Sequence, residues 1–494
     1  MKTAYDEVPY PGQPFTQTHP DRLATLATLH GITPPAVETA RVLELGCGDG
    51  ANLIPMALEL PAGSFTGIDL SAAAIGIAQG VVSSLGLGNI SVRQMDLTEI
   101  DADFGQFDYI ICHGLYSWVP LNVREKILDI FHANLAPGGI AFISYNTYPG
   151  GHLRDILREM SLFHTRNISD PKERIQKALD LIRFLGSAYP ESDLYGRFLK
   201  VEIDSFLRRP AEYFYHDEMA DVSARPYFHE FIERARAHGL EYLSEAVLLT
   251  MQSGAYSPEV TETIRTLGAD DPVLTEQYLD FLKLRSFRQT LLCHADAKID
   301  RTPRAERVRS LHVAAPSRPE STEPDIRSDK EERFQYPSGG SMATNHPLGK
   351  AALLHLGRMW PQAIAFPELL AKARALAGRD AESLEEDGQW LSDLVLKSYA
   401  AHFLELSVCP PKFRMTPGAR PVASPLARLQ AKDGATVTTL RHSSLKVDDE
   451  RGRNLLQLLD GTRDSAALQR DLQVPAEEIA SNLVKLGRLA LLMP

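Results

Sequence analysis

The stretch VLELGCGDGANL, residues 42–53, decides the fold. It begins as an apolar run typical of a buried strand, passes through Gly46, Gly48 and Gly50, and ends where a helical pattern starts. Glycines in such a turn let the chain bend sharply and let a ligand approach the backbone closely. A strand, a glycine-rich turn and a helix in this order indicate a cofactor-binding loop, and a plain glycine turn is the less favoured interpretation.

The sequence around this loop, from residue 41 to about 144, alternates short β-branched runs with segments of helical periodicity. We expect five strands, which read RVLEL, GSFTGIDL, ISVRQMDL, FDYIIC and GIAFISY. Strands joined by helices require right-handed crossovers, which place the strands parallel in one sheet between two layers of helices. The pattern therefore predicts an α/β fold with a Rossmann-like doubly wound sheet, in a first domain that spans residues 1–150.

The rest of the chain changes character twice. Residues 151–300 place apolar side chains at three- and four-residue intervals, including DFLKLRSFRQTLL, and we expect a mainly helical middle domain. Residues 301–345 are rich in Pro, Ser and charge, which predicts a flexible linker. Residues 346–494 contain two similar sets of helices that each end in a short apolar strand, so we expect a winged-helix-like α+β region of two tandem units.

The composition narrows the classes of function. The 494 residues are 44% hydrophobic and 23% charged, as expected for a soluble protein of two or three domains. The net charge is −12 without a Lys/Arg block, and the last helical pattern opens with Glu477 and Glu478, so we expect contact with protein and no nucleic acid. Four widely spaced cysteines and the lack of a long apolar run predict a cytoplasmic protein without a metal site, a disulfide framework or a membrane span.

Acidic residues stand at the ends of the first three predicted strands. Glu44, two residues before the first glycine, is placed to meet the charged amino-acid end of S-adenosylmethionine, whereas it would repel a pyrophosphate. Asp69 is placed to accept hydrogen bonds from two ribose hydroxyls, which suits either S-adenosylmethionine or NAD. Asp96 is placed to receive an adenine amino group. The glycine spacing alone leaves NAD open, because Ala51 fills the third position of a dinucleotide loop, but the three acids together favour S-adenosylmethionine.

ELGCGDG, GIDLS and the Met-Asp pair of QMDL resemble the class I S-adenosylmethionine-dependent methyltransferases. A wider set of motifs, including CHGLYSWVP, YNTYPGG and RPYFHEFIERARAHGLEYLSEA, is similar to a bacterial group in which a methyltransferase regulatory domain follows the catalytic domain. The resemblance, over residues 5–300, implies S-adenosyl-L-methionine as cofactor, a protein-lysine acceptor as in some members of the group, and a homodimer. The predicted cofactor-binding residues are His19, Glu44, Gly46, Cys47, Gly48, Asn52, Asp69, Leu70, Asp96, Leu97 and His113.

Aromatic side chains follow the fourth predicted strand, where Tyr116 and Trp118 lie in CHGLYSWVP. Methyl transfer to a lysine needs an aligned, desolvated amine that has lost its proton. Apolar walls lower the pKa of such an amine, and aromatic faces attract its cationic form by about 0.5–2 kcal/mol. We therefore predict Tyr116, Trp118, Asn146 and Tyr148 as the catalytic residues on the acceptor side, with plain cover of the sheet edge as the alternative for the two aromatics. Asn146 resembles the first residue of an Asn-Pro-Pro-Tyr motif, but Thr-Tyr-Pro follows it here.

Residues before the sheet, TQTHPDRL, are predicted to fold back as a lid over the cofactor, and a helix N-cap at Thr18 or Asp21 is the alternative. Three functions remain open on the sequence. The first is a protein-lysine methyltransferase, the second a small-molecule N- or O-methyltransferase, and the third a non-catalytic protein that senses S-adenosylmethionine.

Overall fold

The computed structural model describes residues 10–190, 192–208, 211–254, 256–379 and 381–494. Its centre is a seven-stranded sheet in the order β3-β2-β1-β4-β5-β7-β6. The strands are β1 (Arg41–Leu45), β2 (Ser64–Asp69), β3 (Ile90–Gln94), β4 (Phe107–Cys112), β5 (Leu135–Asn146), β6 (Leu240–Glu245) and β7 (Phe287–His294). The first five run parallel, and β7 is antiparallel to both β5 and β6.

The five parallel strands are those predicted from the sequence, and the predicted doubly wound α/β fold is confirmed. The helices Leu53–Glu59, Ala72–Leu85 and Leu121–Asn134 connect them. Local sequence sets the helix ends: Ser71 Oγ accepts a hydrogen bond from the Ala74 amide at the start of the second helix, and Gly86 ends that helix with a φ of 64°. Because the strands are parallel, the loops after them meet at one edge of the sheet, where ligands bind in such folds.

The middle segment is helical except where it completes the sheet. Its helices are Gly151–Thr165, Pro171–Ser187, Leu194–Leu207, Ala211–Glu218, Phe228–Ala237, Pro258–Gly268 and Pro272–Lys283. The prediction that residues 280–292 are helical throughout is wrong, because the helix ends at Lys283 and β7 begins four residues later. Most of β7 is buried, so its sequence lacks the alternation that marks a half-exposed strand. The boundary predicted at residue 150 therefore divides a continuous sheet.

The segment 301–345 is folded, so the prediction of a flexible linker is wrong. It contains β8 (His312–Ala314), β9 (Arg318–Pro319), β10 (Glu332–Gln335) and β11 (Ser341–Thr344). Val313 and Phe334 are fully buried, and Arg307 Nη1 donates a 2.8 Å hydrogen bond to the Leu29 carbonyl. Short strands separated by turns use the Pro, Ser and charged residues that also characterise unfolded segments, which is why composition did not distinguish the two.

The C-terminal region contains two groups of helices. In the first, the helices Pro347–Met359, Phe366–Ala377 and Leu384–Ala400 are accompanied by β12 (Ile364–Ala365) and β13 (Glu405–Ser407), which both pair with β8. Its apolar core is continuous with that under the main sheet, since the helix Pro20–Leu29 is buried in the same cluster. The first group is therefore packed against the main sheet.

The second group forms its own core. It comprises the helices Pro425–Asp433, Glu450–Leu458, Ser465–Leu472 and Ala476–Arg488 and a hairpin of β14 (Thr436–Thr438) and β15 (Ser444–Lys446). In the last helix and just after it, Ile479, Leu483, Leu486 and Ala490 are buried. The winged-helix-like prediction is confirmed, and the division into two tandem units stays a prediction. None of the described helices is long and apolar enough to cross a membrane.

Candidate active site

A cavity of about 1020 Å³ opens at the carboxyl edge of the sheet, next to the glycine loop. Ten of the predicted cofactor-binding residues line it: Glu44, Gly46, Cys47, Gly48, Asn52, Asp69, Leu70, Asp96, Leu97 and His113. Trp118 and Asn146, from the predicted acceptor side, line the same cavity. The loops after β1, β2, β3, β4 and β5 thus converge on one space.

The glycine loop is held open by Asp69. Gly46 and Gly48 have φ values of 74° and 54°, in the left-handed region that favours glycine. The Gly48 amide donates a 2.9 Å hydrogen bond to Asp69 Oδ2, and the Ser71 amide donates to Oδ1 at 2.8 Å. A Cβ atom at Gly48 would meet nothing within 4 Å, so the backbone there faces open space into which a ligand fits.

Glu44 supplies a buried carboxyl group at the cofactor end of the cavity. Its Oε1 accepts a 2.6 Å hydrogen bond from Asn52 Nδ2, whereas its Oε2 is buried without a hydrogen-bond partner among the described residues. Burial raises the pKa of Glu44 to about 8, against the lowering effect of the Asn52 hydrogen bond, and Asp49 and Asp69 raise it further. An ammonium group of a ligand in the cavity would supply the hydrogen-bond partner that this buried carboxylate oxygen lacks.

Basic residues are absent from this end of the cavity. Of the residues described along its wall, only Arg154 and Arg225 are basic, and they lie in the middle segment, away from the glycine loop. Asp96 completes the acidic row, with its Oδ1 accepting hydrogen bonds from the Thr98 amide at 2.9 Å and from Thr98 Oγ1 at 2.8 Å. These carboxyl groups therefore fit a cofactor with an ammonium group and an adenosine better than a cofactor with a pyrophosphate.

The N-terminal segment closes one side of the cavity through Tyr10, Pro11, Gly12, Gln13 and Phe15. The Phe15 amide donates a 2.9 Å hydrogen bond to Asn52 Oδ1, and a Cβ at Gly12 would lie 2.0 Å from Asp49 Oδ1. Only glycine allows so close an approach to the glycine loop. The lid over the cavity is therefore formed by residues 10–15, whereas none of the predicted lid residues 16–23 lines the cavity.

His19 does not line the cavity, so the prediction that it binds the cofactor is wrong. It caps the helix Pro20–Leu29, with its Nδ1 accepting a 3.2 Å hydrogen bond from the Asp21 amide. Its Nε2 lies 3.4 Å from Glu59 Oε2. Because His19 is the N-cap, the alternative prediction of an N-cap at Thr18 or Asp21 is also wrong. The Thr18 side chain instead hydrogen-bonds with Asn52.

His113 is a neutral imidazole at the floor of the cavity. Burial lowers its pKa to about 4. Ser144 Oγ accepts a 2.8 Å hydrogen bond from the Gly114 amide and lies within hydrogen-bond distance, 2.9 Å, of His113 Nδ1. The ring packs 4.0 Å from that of Phe15, centroid to centroid. His113 thus joins the lid to the sheet.

The two aromatic residues after β4 have different environments. Trp118 lines the cavity, whereas Tyr116 is fully buried, with its ring 5.4 Å from that of Phe231 and 6.0 Å from that of Tyr145. The prediction that Tyr116 walls the acceptor channel is wrong. Residues 116–118 form one turn of 3₁₀-helix with about three residues per turn, so the side chains of its first and third residues point in different directions.

Asn146 and Tyr148 also lie in different environments. Asn146 lines the cavity, and its amide donates a 2.8 Å hydrogen bond to Ser117 Oγ. Tyr148 is not among the lining residues, so its predicted place at the acceptor mouth is wrong. Its hydroxyl donates to Asp155 Oδ2 at 2.8 Å, and its ring stacks on His152 at 3.9 Å.

Four charged residues of the middle segment line the far end of the cavity and were not predicted: Arg154, Asp217, Glu218 and Arg225. Arg154 Nη1 lies 2.8 Å from Glu218 Oε1, and Arg225 Nη1 pairs with Asp155. Within the described part of the chain, Glu218 Oε2 has no hydrogen-bond partner, and it lies 3.9 Å from Arg225 Nη2. Burial raises the pKa of Glu218 to about 7, although Arg154 lowers it. Arg225 begins the RPYFHEFIERARAHGLEYLSEA motif and Arg154 follows YNTYPGG by three residues, whereas no motif marks Asp217 or Glu218.

Three family models match separate parts of the chain. "Methyltransferase domain" matches residues 42–139, which contain the glycine loop. "Predicted methyltransferase regulatory domain" matches residues 210–294, which contain Glu218, Arg225, β6 and β7. "PKMT, C-terminal winged helix domain" matches residues 419–487, the second helical group of the C-terminal region.

Relatives match nearly the whole chain. Uncharacterized protein RP789 of Rickettsia prowazekii is 36% identical over 476 residues, which cover 94% of this chain and 84% of the relative. A second protein of that organism, Uncharacterized protein RP028, is 38% identical over 236 residues, 48% of this chain and 94% of its own. The structure of PKMT2 from Rickettsia typhi in complex with AdoHcy superposes with a TM-score of 0.88 and 28% identity, covering 98% of this chain and 100% of that chain.

The likeness to PKMT2 covers 98% of the chain, and the three matched domains follow one another along it without overlap. The expected cofactor class and the expected regulatory domain are confirmed. On these grounds the chain belongs to the class I S-adenosylmethionine-dependent methyltransferases that carry a methyltransferase regulatory domain and a PKMT C-terminal winged helix domain.

Proposed function

We propose that this enzyme transfers methyl groups from S-adenosylmethionine to lysine side chains of a protein substrate. The observation that carries the proposal is the likeness over 98% of the chain to PKMT2, with the match to the PKMT C-terminal winged helix domain. A likeness confined to the sheet would leave the acceptor open, because the same fold serves many acceptors.

The residues at the sheet edge would hold the cofactor, which supplies the methyl group as a sulfonium. Glu44 Oε2 would receive its ammonium group, and this would provide the partner that the buried oxygen lacks. Asp69 would accept the ribose hydroxyls, and Asp96 the adenine amino group. Gly48, with open space beside its Cα, would let the cofactor lie against the loop.

The far end of the cavity suits an amine. Trp118 offers an aromatic wall, which orients an alkyl-ammonium chain and excludes water. Glu218 is 1% exposed, and its Oε2 is the buried oxygen at this end that has no hydrogen bond. An ionised Glu218 would bind the lysine ammonium and take its proton at Oε2, which frees the nitrogen lone pair for the methyl group.

A small anionic acceptor is the second candidate, because Arg154 and Arg225 line the same end of the cavity. Both guanidinium groups, however, are paired within the protein, the first with Glu218 and the second with Asp155. An anion would have to displace a carboxylate from a partly buried site, which costs more than binding to an unpaired arginine. These pairs support the amine acceptor.

Partners and location follow from the same proposal. A protein with accessible lysines is the substrate, and nucleic acid is not, since Glu477 is exposed at the start of the last helix. A cytoplasmic homodimer is proposed from the family resemblance, and light scattering of the purified protein tests the oligomeric state.

Incubation of the purified enzyme with a bacterial lysate and methyl-tritiated cofactor tests the function. Label in a protein band, recovered as methyl-lysine after acid hydrolysis, is the expected result. Label in small molecules alone would instead identify the enzyme as a small-molecule methyltransferase. AdoHcy binding without any label in either fraction would favour a sensor of S-adenosylmethionine.

A further inference from the structure

The hairpin of β14 and β15 places its tip against the cofactor end of the cavity. His442, in the turn between these strands, is 2% exposed, and its Nε2 lies 2.9 Å from Asn52 Oδ1, although the two residues are 390 positions apart. The His442 carbonyl accepts a 2.9 Å hydrogen bond from Thr16 Oγ1. The C-terminal winged-helix group therefore touches a residue that lines the cavity.

The Asn52 side chain makes hydrogen bonds on both sides of its amide. Its Oδ1 accepts from the Phe15 amide at 2.9 Å and faces His442 Nε2. Its Nδ2 donates to Glu44 Oε1 at 2.6 Å and to Thr18 Oγ1 at 3.0 Å. Donors at the oxygen side fix the amide in the orientation that points Nδ2 at Glu44.

His442 is a donor in this contact. Its Nε2 faces an amide oxygen, so that nitrogen carries the proton, and burial keeps the pKa of His442 well below its ordinary value. Its Nδ1 is buried without a hydrogen-bond partner in the described part of the chain. The hydrogen bond from Nε2 to Asn52 Oδ1 is thus the one that the His442 ring makes among the described residues.

Without His442 the Phe15 amide would be the remaining backbone donor to Oδ1, and the flipped orientation of Asn52 would be less strongly disfavoured. A flipped Asn52 would turn Oδ1 toward Glu44, where it would accept a hydrogen bond from the protonated carboxyl and repel the ionised one. The ionised form is the one that pairs with an ammonium group. His442 therefore favours the arrangement in which Glu44 is ready for the amino-acid end of the cofactor.

We propose that His442 is a positioning residue, through which the C-terminal winged-helix group completes the cofactor site by fixing Asn52 and, through it, Glu44. The proposal rests on the proposed function only in the assignment of Glu44 to the cofactor's ammonium group. His442 also has a φ of 52°, uncommon for a residue with a Cβ, and the surrounding contacts hold the hairpin tip in this conformation.

The test compares two ligands on the full-length enzyme by calorimetry. AdoHcy carries the amino-acid end that Glu44 faces, and 5′-methylthioadenosine lacks it. His442→Ala is expected to weaken AdoHcy binding by about 3- to 10-fold and to leave 5′-methylthioadenosine within about twofold. His442→Gln, whose Nε2 is as many bonds from the backbone as that of His442, is expected to restore AdoHcy binding.

Arg441→Ala is the matched control, because Arg441 pairs with Glu405 and lies over the Trp360 ring in the same hairpin without touching Asn52. It is expected to leave the ratio of the two affinities unchanged. Unchanged AdoHcy affinity in His442→Ala, or an equal loss for both ligands, would overturn the positioning role. If the alanine variant does not fold, His442→Asn takes its place, since asparagine tolerates the left-handed backbone but is too short to reach Asn52. Failure of the unaltered enzyme to bind AdoHcy would instead count against the proposed function.

Discussion

Asn52 Nδ2 donates a 2.6 Å hydrogen bond to Glu44 Oε1, and the other oxygen of this buried carboxyl group is left without a partner at the cofactor end of the cavity. The two residues lie on opposite sides of the glycine loop. Their pairing connects the end of β1 to the start of the following helix, and both the lid and the C-terminal hairpin bind to Asn52.

Cofactor affinity should therefore depend on pH through Glu44. Its pKa of about 8 means that the carboxyl group is mostly protonated at pH 7 in the free enzyme, whereas an ammonium group binds the ionised form. AdoHcy affinity should rise from pH 6 to about 8, and binding at pH 7 should release a proton, seen as different calorimetric heats in phosphate and Tris buffers. Glu44→Gln should remove both effects, and a pH-independent affinity in the unaltered enzyme would contradict the assignment.

The same pKa shift predicts a change in the stability of the free enzyme. A carboxyl group whose pKa is raised in the folded state stabilises most below its unfolded pKa, and the contribution is lost as the pH rises through the folded value. The contribution of Glu44 should therefore fall between about pH 4.5 and 8. Urea unfolding at several pH values, compared with Glu44→Gln, measures it.

Asp69→Ala should weaken binding of both AdoHcy and 5′-methylthioadenosine, because both carry the ribose. Loss of a hydrogen bond to a charged group costs about 1.5–3 kcal/mol, or roughly tenfold to a hundredfold in affinity. Glu44→Gln is the matched comparison, since it should affect AdoHcy alone. Equal effects of the two substitutions on both ligands would mean that the two carboxyl groups do not address different parts of the cofactor.

The glycine loop and the acidic residues at the strand ends could be predicted because their function depends on local sequence. Glu44, Asp69 and Asp96 follow from strand positions alone, and all three line the cavity. Tyr116 could not be separated from Trp118, because a single turn of helix decides which side chain is buried.

Other parts depend on contacts that no local pattern marks. Glu218 lines the cavity from the middle segment, and His442 contacts the lining residue Asn52 from the C-terminal hairpin; each is brought there only by tertiary packing. The strand β7 was missed for a related reason. It lies between β5 and β6 and is mostly buried, so its sequence has no alternation to distinguish it from a buried helix.

Trp118→Ala should lower turnover while AdoHcy affinity stays within about twofold, because the aromatic wall aligns and desolvates the acceptor only after it binds. Tyr116→Ala should instead lower the free energy of unfolding by about 3–5 kcal/mol, since it removes a fully buried ring that packs on Phe231 and Tyr145. Urea unfolding and single-turnover kinetics on both variants separate these effects. A loss of cofactor binding in Trp118→Ala would place that residue in the adenosyl site.

Arg288→Met should destabilise the enzyme strongly. Arg288 is 1% exposed on β7, and its guanidinium lies 2.7 Å from Glu245 Oε1, 3.0 Å from Glu276 Oε2 and 2.8 Å from Asp280 Oδ1. Removing this cation leaves three buried carboxylates that share one remaining cation, Arg285, whose Nε lies 2.7 Å from Asp280 Oδ1, and this loss costs about 3–5 kcal/mol.

Arg265→Ala is the control for this prediction, because Arg265 forms an exposed pair with Glu262 in the same segment, 2.6 Å apart. It should leave the free energy of unfolding nearly unchanged, because solvent screens an exposed pair. Urea unfolding of the two variants measures the difference. Equal effects would mean that the cluster around Arg288 is not held by its charge.

Glu218→Gln should lower turnover while AdoHcy affinity is retained, because Glu218 lies at the acceptor end of the cavity. Burial raises the pKa of Glu218 to about 7, so the ionised fraction of this carboxyl group increases as the pH rises through that value. The ionised form is the one that can take the proton from a lysine ammonium. The turnover number of the unaltered enzyme, at saturating cofactor and substrate, should increase with pH around 7. The glutamine variant should lose that step and keep the increase at higher pH that comes from the amine itself.

Glu202→Gln is the matched control, since Glu202 lies 3.8 Å from Arg154 Nε but does not line the cavity. An unchanged pH profile in Glu218→Gln would remove this carboxyl group from proton transfer and leave it the role of holding Arg154.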